Sequence, residues 1–77
     1  MNERLADYLW HYYRREVLGE RVKVVPPELT PEVMADAKLA LANIDSLHRT
    51  MGATLASRDF AAYQQRRALV ELLKDAP

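Results

Sequence analysis

Between Glu3 and Leu18 the apolar residues Leu5, Leu9, Tyr12 and Tyr13 recur at three- and four-residue steps. That spacing brings side chains to one side of an α-helix. The pattern predicts a helix over residues 3–18, and Gly19 suits the left-handed conformation that often follows a helix end. From Glu20 to Val25, "ERVKVV", polar and β-branched residues alternate instead, as in a strand or an extended segment. A lone strand has no pairing partner within one chain, and Pro26–Pro27 bar a helix. Residues 19–30 are therefore expected to form an extended connector.

"LTPEV" marks the next boundary: the Thr30 hydroxyl can cap, Pro31 fits the first helical position, and Glu32 favours the positive helix end. A long helix is predicted over residues 31–56, with a seam of Val33, Ala37, Ala40, Ile44, Leu47 and Met51 at steps of four and three. Gly52, late in this helix, costs about 1 kcal/mol relative to alanine. Ser57 offers a second cap, with Asp59 in the first turn of a third helix over residues 58–74. Ala62, Tyr63, Leu69, Val70 and Leu73 share a face of that helix, with Arg66 at its centre. The expected fold is all-α: one domain of residues 1–77, in which the long helix and the shorter third helix form an antiparallel hairpin. The aromatic first helix joins it through the proline-containing connector.

Each helix also carries an ionisable residue where its pattern asks for an apolar one: Glu16, His48 and Arg66. Long stems can pack while charged heads stay wet at the ends of a bundle, with His48 neutral and hydrogen-bonded. Alternatively, Glu16 and Arg66 pair across helices beside His48, a buried polar cluster that would set helix register. A third reading makes the three a ligand or partner pocket.

The chain has 77 residues and no cysteine. A domain this small buries only about 60% of its unfolded surface, and without disulfides its natural support is a partner or a second copy. A two-fold homodimer is expected, through the seam of the long helix or through the aromatic helix. Eleven basic and eleven acidic residues are scattered along the chain, unlike the basic face of a dedicated DNA-binding domain. The start has neither a signal peptide's charge pattern nor its apolar run, and no stretch is long enough to span a membrane. A cytoplasmic protein is the expectation.

Catalytic chemistry has little to work with. Ser46 and Ser57 are the only serines, His11 and His48 the only histidines, and two glycines cannot build a phosphate loop. Asp45 and His48 make a single carboxylate-x-x-histidine step without the second step of a bundle metal site, and a surface pair of Asp45 with Arg49 accounts for the aspartate. No enzyme activity, cofactor or metal is expected.

"DYLWHYYRRE", residues 7–16, gathers four of the six aromatic residues with two arginines. They spread over roughly 200° of the helix, more than one hairpin can cover. Tyrosine, tryptophan and arginine dominate binding hot spots, so Tyr8, Trp10, Tyr13 and Arg14 are the expected contacts of a larger protein partner, with Arg15 as a steering charge. The function expected is that of a non-enzymatic adaptor, chaperone or stoichiometric inhibitor. The alternative is a nucleic-acid-binding regulator, with Arg14, Arg15, Arg21 and Lys23 on phosphates and the aromatics stacked on bases. "SRDFAAYQQRRALVELL" after a long amphipathic helix resembles the helical hairpins of small secretion chaperones. The resemblance covers the second half of the chain, rests on general helix formers plus Phe60 and Tyr63, and implies a hairpin whose function is to hold a partner helix.

Overall fold

The computed structural model describes residues 2–58 and 60–74, with side chains described for 2–50 and 62–74. Three helices account for most of them: α1 (Glu3–Glu16), α2 (Pro31–Arg58) and α3 (Phe60–Lys74). No strand occurs among the described residues.

Local chemistry sets the helix ends. The Asn2 side chain accepts from the amides of Arg4 (2.9 Å) and Leu5 (3.3 Å), satisfying donors that the first turn leaves open. The Asn2 amide itself donates to the Asp36 carboxylate at 2.6 Å, tying the start of α1 to α2. At the other end Val17 closes the last turn on the Tyr13 carbonyl (2.8 Å), so α1 stops two residues short of the expected Leu18. Gly19 follows with φ +69°, and the Glu20 amide reaches back to the Arg14 carbonyl at 3.0 Å. Thr30 caps α2 as its sequence suggests: its hydroxyl oxygen accepts from the Val33 amide at 3.2 Å. The backbone of α2 continues through Ser57 to Arg58 instead of ending at 56, and α3 starts at Phe60 instead of 58. Met51, Gly52 and the proposed Ser57 cap with Asp59 lie outside the described side chains.

The helices pack with α3 in the middle. It lies closely against α2 on one side and against α1 on the other, while α1 and α2 touch each other least. The core is built from Leu5, Tyr8, Leu9 and Tyr12 of α1, Ala37 and Ile44 of α2, and Ala68, Leu69 and Leu72 of α3. Val24 and Leu29 pack against it from the connector, which runs over α1 and α3 as a strap, with Val25 turned outward. Thus the alternation in "ERVKVV" sorts inward from outward side chains without any strand pairing.

Two expected faces are displaced. On α2, Val33, Ala37 and Ile44 are buried, but Leu47 is 51% exposed and half-buried His48 takes the inward position after Ile44. A strict alternation of threes and fours drifts about 20° per heptad on a straight helix, which carries Leu47 off the contact line and His48 onto it. On α3, the buried residues are Gln64, Ala68, Leu69 and Leu72, while Tyr63, Arg66 and Val70 are exposed. A helix with neighbours on two sides buries a wider and differently centred arc than one packed in a hairpin, so Arg66 falls outside it.

Candidate partner-docking face

The α1 sequence carries two stripes. Leu5, Tyr8, Leu9 and Tyr12 repeat at helical spacing and are all buried. Ala6, Trp10, Tyr13 and Val17 repeat at the same spacing, centred about 120° round the helix, and none of them is buried. Trp10 is 54% exposed, and its indole stacks on the Tyr13 ring with centroids 5.8 Å apart and planes 17° apart. The stacking holds a large apolar surface in one orientation, which lowers the entropy lost when it is covered.

Tyr8 does not belong to this face. It is 5% exposed, its hydroxyl donates to the Ala68 carbonyl at 3.1 Å, and its ring meets Tyr12 edge-on at 6.1 Å. Burial, and then the charge of Glu71, push its hydroxyl up to about 12. Tyr12 shifts in the same direction for the same two leading reasons. Tyr8, expected among the contacts, is core instead, since α3 sits on the Tyr8 side of the helix, while Tyr13 stands beside Trp10.

The arginines of the stretch are engaged within the chain. Arg14 makes a two-pronged pair with Glu20 (2.9 and 3.2 Å) across the Gly19 turn, which holds the Glu20 carboxyl below its usual range. Arg15 pairs with Glu16 at 2.8 Å and lies over the Tyr12 ring, 5.3 Å from its centroid. Two of the four cations of the nucleic-acid reading are therefore matched by carboxylates, while Arg21 and Lys23 are exposed on the connector. Glu20 is the residue that spacing on α1 could not reveal, because the pair forms only once Gly19 turns the chain back.

The polar cluster of Glu16, Arg66 and His48 does not assemble. Glu16 is exposed beside Arg15, and Arg66 donates to Asp45 at 2.8 Å. Asp45 was paired on spacing with Arg49, but its hydrogen-bond partner comes from α3, and that bond holds its carboxyl below the usual range. A shallow cleft lined by Asp45, His48, Arg49, Tyr63 and Arg66 remains between α2 and α3. Within it the His48 Nε2 is buried with no hydrogen-bond partner, an arrangement that costs about 1–3 kcal/mol. No group of three or more metal-ligating side chains gathers among the described residues, and no described helix is long and apolar enough to cross a membrane.

Comparison of the chain with family models, with curated proteins and with solved structures finds no match in any of the three.

Proposed function

We propose that this chain is a small non-enzymatic binding module whose α1 outer face docks on a larger protein, as an adaptor, chaperone or stoichiometric inhibitor does. One observation carries the reading: Trp10 stands half-exposed and stacked on Tyr13, while the core is closed by other residues of the same helix. A large, rigid aromatic pair surrounded by Ala6 and Val17 fits an apolar groove. Because Arg14 and Arg15 are matched by Glu20 and Glu16, the contact depends on shape and apolar burial more than on charge.

The test is capture from nuclease-treated lysate with three baits: wild type, Trp10→Ala, and Leu47→Ala as an exposed apolar control on α2. A protein retained by wild type and by Leu47→Ala but lost with Trp10→Ala supports the reading. Equal capture by all three removes the aromatic face from consideration. Binding only to added oligonucleotide, weakening steeply with salt, favours the nucleic-acid class instead.

A further inference from the structure

We propose that α1 also pairs with α1 of a second copy of this chain, antiparallel, about a two-fold axis level with the middle of the helix. Ala6, Trp10, Tyr13 and Val17 alternate steps of four and three, the repeat of a helix seam that packs against another helix. In this chain none of the four is buried: Ala6 and Trp10 are exposed, and Tyr13 and Val17 are half-buried. The long-helix seam, in contrast, is covered by the chain itself over its first part, with Val33, Ala37 and Ile44 buried.

Charge on the same face names the occupant. Asp7 follows Ala6 and Arg14 follows Tyr13, so both lie on one flank of the seam, the acid towards the helix start and the base towards its end. A two-fold axis between antiparallel helices sets each flank against the same flank of the copy and reverses direction along it. Asp7 then faces Arg14 of the second copy, and the contact occurs twice. In that register Trp10 is two residues, about 3 Å along the axis, from the level of Tyr13 of the second copy, and Ala6 the same from Val17, so the two stacked aromatic pairs still meet. A parallel pair would send Asp7 and Arg14 to opposite edges. Arg14 can serve both acids: Glu20 takes its Nε and one Nη, and a guanidinium has further N–H groups to offer.

The pairing does not rest on docking to a larger protein. It uses the same face, so a second copy and such a partner exclude each other there. The experiment is light scattering of purified wild type, Trp10→Ala, Asp7→Arg and Arg14→Asp, alone and mixed, with circular dichroism as the fold check. Wild type is expected to be dimeric and Trp10→Ala monomeric with its helix content kept. Asp7→Arg and Arg14→Asp each lose dimer alone and regain it when mixed, since the mixture sets an acid against a base on both sides. A monomeric wild type overturns the pairing and leaves the capture result untouched. A dimer indifferent to Trp10→Ala, or a mixture no more dimeric than its folded components, overturns it equally. Should Arg14→Asp not fold, Trp10→Ala and Asp7→Arg decide alone.

Discussion

The Tyr8 hydroxyl donates to the Ala68 carbonyl at 3.1 Å, across the contact between the first helix and the last. The bond is buried, and it ties α1 to α3. Tyr8→Phe keeps the ring and removes the donor, so it should cost about 1 kcal/mol. In a domain of this size that lowers the melting temperature by roughly 4–8 °C. Thermal unfolding followed by circular dichroism checks it, and an unchanged melt would mean that water replaces the bond without loss.

Alkaline titration reads the same residue by another route. The hydroxyl moves from 10.0 in the open chain to about 12 in the folded one. The unfolded form therefore releases that proton first, and the folded form is penalised as pH rises. Stability should be full below about pH 10, fall between there and about pH 12, and fall less steeply in Tyr8→Phe. Urea unfolding at stepped pH, with tyrosinate absorbance recorded alongside, measures both the window and its owner.

Trp10 and Tyr12 separate surface from core on one helix. Tyr12 is 2% exposed, and Tyr12→Ala should cost about 3–5 kcal/mol. Trp10→Ala loses a stacked contact with Tyr13 on a half-exposed side chain, about 0.5–1.5 kcal/mol. Parallel denaturation curves give the comparison. Similar losses at both sites would return Trp10 to the core and end the docking proposal.

Gly19 holds φ +69°, and nothing lies within 4 Å of where a Cβ would stand. Gly19→Ala therefore meets no clash and suffers only from the left-handed backbone, about 1 kcal/mol. Gly19→Asn should recover part of it. A urea midpoint that does not move in Gly19→Ala would show that the turn relaxes.

The start of α2, the turn after α1 and the connector were legible because their chemistry is local. Thr30 before Pro31, glycine after α1 and the Pro26–Pro27 break each act through the few residues beside them. The rotation of each helix was not local. Tyr8 and Tyr13 flank the same core residues, and the position of α3 decides which is covered. Leu47 and His48 differ by one step, and accumulated drift along α2 chose the histidine. Asp45 finds Arg66 only through the register between two helices, so near-neighbour spacing assigned it to Arg49. The outer stripe of Ala6, Trp10, Tyr13 and Val17 was present in the spacing, but its two small members carry no hot-spot chemistry of their own.

The central place of α3 has a consequence for the order of events at the ribosome. Synthesis makes α1 before α3, yet the surface that covers Leu5, Tyr8, Leu9 and Tyr12 is supplied chiefly by α3. Until α3 is made, the inner stripe of α1 is as bare as the outer one. A nascent chain therefore shows two sticky sides, and completion of α3 hides one of them while leaving the other on offer.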